Sequence, residues 1–592
     1  MYVIRGVIMS FTIPGLGSGI DVETMVNNML ATKMEKLTKY KTEQTQNTYK
    51  EDVFKDLRSS IEKLQKTSKA LSSPTALLTK NATSSNSSVS VSSTTNSAQE
   101  GMYVVDVQQM ATASSVALKP STPITDAKQS INTTGSTQQF SYTVNGETKT
   151  IQVAAGATLE DLVNTINKTP NNLGVRASLL KDGDQYVFRM QSTETGSKNS
   201  ISIDSGTTLS GFENSANWDT QTGQDALYKI DGYPSGTNWI SSSSNTISDA
   251  IEGVTINLQG TGSSTITVGI SSDKMVEKIE EFVNDVNSVL GMLNDINKPR
   301  DNTSSSSTSS SNTSSSDNKT PSLGDGYTIG DHSSIFYNNS YVNRIQSTIQ
   351  GFVTSRLPGF TLYNENTQTG DLFSSLGNIG ITFDSTLGSS TYGQLVIDKD
   401  KLQSAVEQDP EAVANLISAD TVGSATSSNN SFYFNSAMKG ITQAGSYDVS
   451  YEIDSSGNVT NATIGGYAAT YNSNTKTLTV TDGDARGTAI TLTDFTPGKV
   501  TGTVNIKDGA ATSISEAITD MFLTNGDLTK LSEEIKSDVK RTNSLIESEQ
   551  KRLTEEREKL LARFTAMDLR ISQMNSQLNL LSSYIGLGSS NS

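Results

Sequence analysis

Gly15, Gly17 and Gly19 are the residues whose spacing comes nearest to that of a ligand-binding loop. They precede a helical pattern that begins at Asp21, and glycine backbone ahead of a helix can bind phosphate. The dinucleotide fingerprint has a wider glycine spacing, a strand before it and an acidic residue after it, and this segment matches none of these features. We therefore predict a flexible turn, whose bare backbone also lets another chain pack closely against it.

Side chains that carry catalysis or bind metals are sparse. The chain has no cysteine, which excludes disulfides and thiolate metal sites, and its one histidine is His332. A Ser-His-Asp triad would need that histidine, which lies in the polar sequence GDHSSIFY, so we predict a surface side chain. The acidic pairs Glu280-Glu281 and Glu555-Glu556 fall on predicted helices, where a solvated face accounts for them. We predict no catalytic residue, no cofactor and no metal site.

Charge and hydropathy exclude two classes of partner. The net charge of the 592 residues is −17, which repels the phosphates of nucleic acids. No apolar run is long enough to cross a bilayer, so we do not expect a membrane-inserted protein. The opening sequence MYVIRGVIM lacks the length and the small-residue site of a cleaved secretory signal. Met1 and Met9 both remain open as the true start.

The strongest periodic pattern lies near the end of the chain, where apolar residues recur at every seventh position, as in a coiled-coil seam. These residues are Val539, Ile546, Leu553, Leu560, Met567, Met574 and Leu581. A second apolar seam joins later, at Phe564, Ile571, Leu578 and Ile585. The matching earlier positions are polar: Asn543, Gln550 and Arg557. We predict a helix that pairs weakly at first and strongly later, and that ends with flexible turns at Gly586 and Gly588.

A second amphipathic helix is predicted near the start of the chain. It begins at the N-cap Asp21 and ends before Pro74. Its apolar stripe comprises Val26, Leu30, Leu37 and Tyr40, followed after a polar stretch by Phe54, Leu57, Ile61, Leu64 and Leu71. We expect residues 528 to 557 to pack on residues 45 to 71 and on a third helix, 273 to 296.

A single helix with this seam is not stable alone, because apolar burial gains less free energy than ordering the chain costs. We therefore predict that both ends of the chain are mobile in the free subunit and become ordered during assembly. The predicted assembly interface comprises Val26, Leu30, Leu37, Leu553, Leu560, Phe564, Met567, Ile571, Met574, Leu578, Leu581 and Ile585.

The middle of the chain is predicted to be rich in strands. Asn145-Gly146 and Asp182-Gly183 are hairpin signals, and Thr158 is the predicted N-cap of a short helix between the two hairpins. This order of elements indicates a small α+β domain.

The second half of the chain contains a serine-rich tract and a further β region. Residues 299 to 321 have almost nothing to bury and are predicted to be disordered. Residues 376 to 417 have the pattern strand, strand, helix. A hairpin is predicted around Ser456-Gly457, within a separate β domain.

We predict a multidomain α+β fold with antiparallel β-rich head domains on a helical stalk, and with N- and C-terminal helices forming coiled-coil legs. The predicted domains are a terminal helical leg, mobile in the monomer (1–45 plus 558–592); a helical coiled-coil stalk with small β elements (46–79 plus 273–298, 328–430 and 508–557); a β-rich head (80–135 plus 219–272); an α+β head (136–218); a Ser-rich disordered linker (299–327); and an inserted β domain (431–507).

Four segments resemble the bacterial flagellar filament cap family, the flagellar hook-associated protein 2 family. IPGLGSGIDVETMVNNMLATKMEKL resembles its N-terminal signature, and FSYTVNGETKTIQVAAGATLEDLVNTIN is similar to a repeat shared by flagellins and hook-associated proteins. LGNIGITFD with LVIDKDKLQSAVEQDPEAVANLI resembles the family's C-terminal core, and LARFTAMDLRISQMNSQLNLL its closing helix. The serine tract and the region 431 to 507 are additions relative to the shortest members, and MYVIRGVI lies outside the family pattern.

The resemblance implies a secreted, extracellular protein at the distal tip of the flagellum. It implies a ring-like homo-oligomer, such as the pentamers of better-studied relatives, that retains exported flagellin, shelters its folding and promotes its polymerisation. Flagellin, the flagellar type III export apparatus, an export chaperone and neighbouring hook-associated proteins are the implied partners. The subunit number stays open.

Three alternatives remain at this point. A secreted adhesin would bind host mucin or glycans through the exposed β domains, and this role is compatible with capping. A hook–filament junction protein would share the helical ends, but the match at 376 to 417 favours the cap. An enzyme is the least favoured class, because no group of residues stands out as a catalytic site.

Overall fold

The computed structural model describes residues 21–119, 123–299 and 334–588, with the side chains of residues 584–588 left outside the description. The predicted surface residue His332 lies outside the described residues, as does the serine-rich linker beyond residue 299. Within the described part of the chain, none of the helices has the length and apolar character of a membrane span.

The chain divides into two compact units: unit 1 is Met1–Ala76 with Glu277–Ser592, and unit 2 is Leu77–Val276. The helices are α1 (Val22–Leu71), α2 (Pro74–Leu77), α3 (Leu159–Lys168), α4 (Ser272–Asn297), α5 (Ser340–Thr354), α6 (Lys399–Gln408), α7 (Pro410–Ser418), α8 (Ala510–Met521) and α9 (Asp527–Gly588). Helices together with antiparallel sheets confirm the predicted multidomain α+β class.

The strands of unit 2 are β1 (Lys80–Ser84), β2 (Val89–Thr94), β3 (Gly101–Gln109), β4 (Ala113–Leu118), β5 (Gln138–Val144), β6 (Glu147–Val153), β7 (Val175–Asp182), β8 (Gln185–Thr195), β9 (Ile201–Ile203), β10 (Trp218–Gln221), β11 (Ala226–Ile230), β12 (Ile240–Ser242), β13 (Thr246–Ile251), β14 (Val254–Leu258) and β15 (Gly262–Ile270). The strands of unit 1 are β16 (Ile381–Phe383), β17 (Leu395–Ile397), β18 (Val422–Ser427), β19 (Phe432–Ser436), β20 (Gly445–Ile453), β21 (Val459–Ile464), β22 (Tyr467–Asn472), β23 (Thr477–Val480), β24 (Ala489–Leu492) and β25 (Gly498–Lys507).

Unit 2 contains two apolar cores. The first joins a sheet of order β1-β15-β3-β11-β12 to a smaller sheet of order β13-β14-β2. The second joins the sheets β10-β4-β8-β7 and β6-β5-β9 to helix α3. Each core takes its residues from facing surfaces of these elements, so each forms a layered body of its own.

The predicted hairpin and caps are confirmed. β5 pairs with β6 through Asn145 and Gly146, both of which have positive φ, as a two-residue hairpin turn requires. Thr158 caps α3 through a capping box with Asp161. Asp21 caps α1, because its carboxylate accepts a hydrogen bond from the backbone N–H of Thr24 at 3.0 Å.

Two prolines mark helix boundaries. The predicted end of the first helix before Pro74 is confirmed, since α1 ends at Leu71, and Pro74 opens the short helix α2. The single helix predicted at the end of residues 376–417 is two helices, because Asp409 ends α6 and also caps α7, whose first residue is Pro410. Proline has no backbone N–H and a restricted φ, so it suits the first position of a helix and interrupts its interior.

The β domain of unit 1 is an eight-stranded antiparallel sheet of order β18-β25-β20-β21-β22-β23-β24-β19. The predicted hairpin around Ser456-Gly457 joins β20 to β21. The sheet begins at Val422 rather than at residue 431, because β18 pairs with the last strand, β25. The sequence of β18, VGSATS, lacks the large alternating side chains that identify a strand, so the sequence reasoning missed it.

The remainder of unit 1 is mainly helical, with one small antiparallel pair of strands, β16 and β17. The buried stripe of the C-terminal half of α1 comprises Val53, Phe54, Leu57, Ile61 and Leu64. This half contacts α8, where the side chain of Gln65 donates to Thr519 at 3.0 Å. It also contacts α4, whose buried Asp285 accepts hydrogen bonds from Lys63 and from the Thr67 hydroxyl, each at 2.7 Å. The predicted packing of the C-terminal helix on α1 is confirmed, and its packing on 273–296 stays a prediction.

The aromatic centre of unit 2 provides a test of its second core. The Phe140 ring lies 6.0 Å from both Phe188 and Trp218, centroid to centroid, and is fully buried. We expect Phe140→Ala to lower the free energy of unfolding of this core by about 3–5 kcal/mol, and Phe140→Leu by about 1 kcal/mol. Urea unfolding followed by Trp218 fluorescence in a Trp239→Phe background measures both. Equal losses for the two substitutions would contradict the assigned packing.

Candidate assembly interface

The two ends of the described chain form an antiparallel helix pair within unit 1. Arg557 of α9 pairs with Glu23 near the start of α1, at 2.8 Å. Thr542, earlier on α9, accepts a hydrogen bond from Asn47, later on α1, at 3.0 Å. Because residue numbers fall on α9 as they rise on α1, the helices run in opposite directions. Each helix therefore covers the apolar stripe of the other.

A separate apolar cluster, called here the leg cluster, holds this pair together. Its buried members are Val22, Val26, Leu30, Leu37, Ile546 and Leu553. Its half-buried members are Tyr40, Leu560, Leu561 and Phe564. Burial of each large aliphatic side chain contributes about 2 kcal/mol. Six of the twelve residues predicted for the assembly interface meet in this cluster: Val26, Leu30, Leu37, Leu553, Leu560 and Phe564.

α9 continues beyond the leg cluster. Residues 565–588, called here the α9 overhang, extend for about 36 Å at 1.5 Å per residue. Four predicted interface residues on the overhang are between 40% and 60% exposed: Met567, Met574, Leu578 and Leu581. Ile571 is half-buried, and the side chain of Ile585 lies outside the described residues. The apolar seam of the overhang is thus much more open to solvent than the leg cluster.

The predicted flexible turns divide into two groups. Gly15, Gly17 and Gly19 lie outside the described residues. Gly586 is helical, and the helix ends at Gly588, so the turn predicted at Gly586 is wrong. One glycine costs a helix only about 1 kcal/mol relative to alanine, which is too little to stop a long helix by itself.

Charged side chains border the leg cluster. Lys33 pairs with Glu556, and Lys36 lies 3.9 Å from the buried carboxylate of Glu549. Arg552, on the same helix as Glu549, donates to it at 2.5 Å. The hydrogen bond from Arg552 lowers the pKa of the Glu549 carboxyl, and the hydrogen bond from Lys33 lowers that of Glu556. In its charged form Glu556 therefore stabilises the contact between the helices, and Glu549 mainly stabilises α9 itself with a smaller contribution from Lys36 of α1.

Polar side chains interrupt the seam behind the leg cluster. Asn47 is 4% exposed and Thr542 is fully buried, and the two are hydrogen-bonded. Beside them the side chain of Gln44 donates to Asn543 at 2.6 Å. The sequence reasoning found Asn543 as a polar residue in an apolar seam. It missed Thr542, which lies outside the listed seam positions, and Asn47, although Asn47 lies seven residues from both Tyr40 and Phe54 of the α1 stripe.

The side chains of this site suit association with another helix. Among the described residues, no group of three or more histidine or acidic side chains is placed to hold a metal ion. The residues brought together are aliphatic and aromatic side chains with a border of ion pairs. Such a surface binds another helix through shape and apolar burial.

A β-rich chain whose two ends meet in a helix pair, with one helix overhanging, is a structural assembly protein in class. The model of the flagellar hook-associated protein 2 C-terminus matches residues 223–576, and that of the N-terminus matches residues 18–114. The flagellin hook IN motif matches residues 139–194. The chain belongs to the flagellar hook-associated protein 2 family, the cap proteins of flagellar filaments. The resemblance found in the sequence is confirmed.

Individual relatives agree with the family assignment. The A-type flagellar hook-associated protein 2 of Pseudomonas aeruginosa is 25% identical over 441 residues, which are 70% of this chain and 81% of the relative. The Escherichia coli K12 flagellar hook-associated protein 2 is 26% identical over 419 residues, 69% of this chain and 80% of the relative. The crystal structure of the Escherichia coli flagellar cap protein FliD D1-D2-D3 domains gives a TM-score of 0.43 at 19% identity, covering 82% of this chain and 99% of that chain. The family assignment and the two named relatives support the cap over the adhesin alternative.

The leg cluster predicts different effects for neighbouring residues on α1. Leu30→Asp places a charge in a buried apolar site, and we expect backbone amides of 22–40 and 546–564 to exchange at least about tenfold faster. Met29→Asp is the matched control, because Met29 is 49% exposed. Hydrogen exchange with mass spectrometry on the full chain measures both. Equal exchange in the two variants would show that the cluster does not hold the helices together.

Acid should weaken the same helix pair. Because the pKa values of Glu549 and Glu556 are lowered in the folded chain, their contribution is present above the ordinary value of 4.5 and is lost as the pH falls through the lower folded-state values. We expect protection of 546–564 to decrease between about pH 5 and pH 3, after correction for intrinsic exchange rates. The combined variant Glu549→Gln with Glu556→Gln should show a smaller decrease. An unchanged acid dependence in that variant would contradict these ion pairs.

Proposed function

We propose that this chain caps the distal end of a bacterial flagellar filament as a homo-oligomer. It would retain exported flagellin, shelter its folding and promote its polymerisation. The family assignment supports the capping role, and the exposed apolar seam of the α9 overhang is the observation that supports the mode of assembly.

The overhang requires a partner for a simple physical reason. Its leucines and methionines stay largely exposed in the single chain. In the leg cluster the same seam is buried at Ile546 and Leu553 and half-buried at Leu560. Apolar side chains at heptad spacing gain free energy when a second helix covers them. We propose that sister chains and flagellin provide that cover, with Ile585 continuing the seam. A ring of subunits accommodates this arrangement, and its subunit number stays open.

A cap that moves along with the growing tip has to grip and release. The leg cluster is small, and polar groups follow it along the seam at Gln44, Asn47 and Asn543. An interrupted seam exchanges partners more readily than a continuous apolar one. We propose that both ends of the chain are mobile in the free subunit and become fully ordered when the cap assembles.

The other proposed partners follow from the family. We propose export through the flagellar type III apparatus with an export chaperone, and contact with neighbouring hook-associated proteins at the base of the cap. The protein would then act outside the cell, at the flagellar tip. The role in assembly needs no enzymatic activity.

Charges placed on the seam test this mode of assembly. We expect Phe564→Asp combined with Ile571→Asp to weaken assembly, because an apolar partner helix would have to bury two unpaired charges. Sedimentation velocity should show a lower oligomer mass, and a complemented deletion strain should have shorter filaments. Gln573→Asp with Gln577→Asp adds the same charge at exposed positions outside the seam and should preserve both properties. Unchanged oligomers and filaments in the seam variant would refute this interface.

Deletion of the gene tests the capping role itself. A deletion strain should release monomeric flagellin into the medium and lose motility, since flagellin that leaves the tip unsheltered is not incorporated. Immunoblots of culture supernatants and electron microscopy of filament tips measure this. A deletion strain that swims normally but binds mucin poorly would instead support the adhesin.

A further inference from the structure

The seam between α1 and α9 contains a long stretch in which no apolar side chain is fully buried, although Tyr40 and Val539 are half-buried there. On α1 the only buried side chain between Leu37 and Val53 is Asn47. On α9 the only buried side chain between Ile535 and Ile546 is Thr542. The two bond to each other at 3.0 Å, so the sole buried contact of this stretch is polar.

Further polar groups complete this stretch. Gln44 donates to Asn543 at 2.6 Å, and the Thr542 hydroxyl, which accepts from Asn47, donates to Glu43 at 3.4 Å. Arg541 lies 3.7 Å from Glu43. We call Gln44, Asn47, Thr542 and Asn543 the polar layer. Its polar groups form hydrogen bonds with one another across the two helices. The layer is therefore a specific polar contact and not a gap in the apolar packing.

The polar layer separates two apolar regions of the same helix pair. On one side lies the leg cluster, which forms a hydrophobic cluster of its own. On the other side the fully or almost fully buried residues are Val53, Phe54, Leu57, Ile61 and Leu64 of α1, and Leu528, Leu531 and Ile535 of α9. The first region is small and bordered by solvent, whereas α8 also covers the second.

These two regions should differ in the free energy needed to open them. Opening the leg cluster exposes a few apolar side chains, and opening the second region also disrupts contacts with α8 and α4. A polar layer is inexpensive to open, since water replaces its hydrogen bonds, whereas an apolar layer loses its burial. Buried polar contacts also fix the register of paired helices, because a shifted pairing leaves them unsatisfied.

We infer that the polar layer is a built-in stopping point at which the leg opens and closes as one unit. Residues 22–47 and 542–588, which include the polar layer, separate from each other, and the apolar region beyond the layer stays closed. On closing, the Asn47–Thr542 and Gln44–Asn543 contacts restore the original register. This inference deepens the proposed function, on which its biological role rests: the layer defines how much of each subunit can release and grip again.

Hydrogen exchange with mass spectrometry on the full chain tests the inference. In the unchanged chain, we expect amides of 22–40 and 546–564 to be protected at least about tenfold less than those of 53–71 and 528–535. The apolar-layer variant combines Gln44→Leu, Asn47→Leu, Thr542→Val and Asn543→Leu. Its amide protection in the leg should rise at least about tenfold, toward that of the second region. Equal protection of the two regions in the unchanged chain would overturn the inference.

Matched variants keep the result interpretable. Thr45→Leu with Thr48→Leu adds apolar side chains at exposed positions of the same helix turns and should leave leg protection unchanged. The pair Asn47→Leu with Thr542→Val serves if the fourfold variant folds poorly, as judged by lost amide protection of 53–71 and 528–535. Leg amides that are as poorly protected in both apolar-layer variants as in the unchanged chain would overturn the inference.

Filament growth separates this inference from the proposed function. In a deletion strain complemented with the apolar-layer variant, we expect shorter filaments, because the leg releases more slowly. Raised leg protection with unchanged filament length would support the stopping point and contradict release of the leg as part of capping. Unchanged protection overturns the stopping point whatever the filament length.

Discussion

The fold of unit 1 depends on one constraint, which is that the two ends of a long chain must cover each other. Glu23 and Arg557, which form an ion pair across the helices, are 534 residues apart. Loop-closure entropy grows only slowly with length, so even so distant a pairing costs little more than a shorter one. In return each amphipathic helix buries its stripe in the leg cluster. The two β-rich cores of unit 2 and the eight-stranded sheet of unit 1 are all inserted between these ends.

The two helices do not match in length at the leg, and the α9 overhang follows from this difference. The seam that is buried between Val26 and Leu553 continues past Phe564 as an exposed seam. Four of its residues are partly or largely exposed, yet they have the same spacing as their buried counterparts. A seam that is regular but exposed among the described residues is the observation behind the proposed contact with sister chains. This connects the helix pair to the proposed role of the protein as a cap.

Much of this arrangement could be predicted from the sequence because the signals are local. Heptad spacing marked the C-terminal helix, Asn145-Gly146 marked a hairpin, and Asp21 and Thr158 marked helix starts. The partner of each seam residue could not be predicted, because spacing describes one helix only. The heptad pattern alone therefore did not show that Leu560 would be covered while Met567 would be exposed.

Other features depended on contacts that are distant in the chain. Strand β18 has small polar residues and is a strand because β25 lies beside it. Asn47 and Thr542 look like ordinary polar helix residues until the two helices are paired. The break between α6 and α7 at Pro410 could have been predicted, since Asp-Pro is a strong helix-start signal. Gly586 was misjudged because a single glycine is a weak stop in a long helix.

The central claim is that the α9 overhang is incomplete in one chain and is completed by sister chains. Sedimentation velocity over a range of concentrations, on the full chain and on a chain ending at Phe564, tests it most directly. The full chain is expected to associate as concentration rises, and the shortened chain to stay monomeric with unchanged amide protection of 53–71 and 528–535. A shortened chain that forms the same oligomer, or a full chain that stays monomeric throughout, would contradict it.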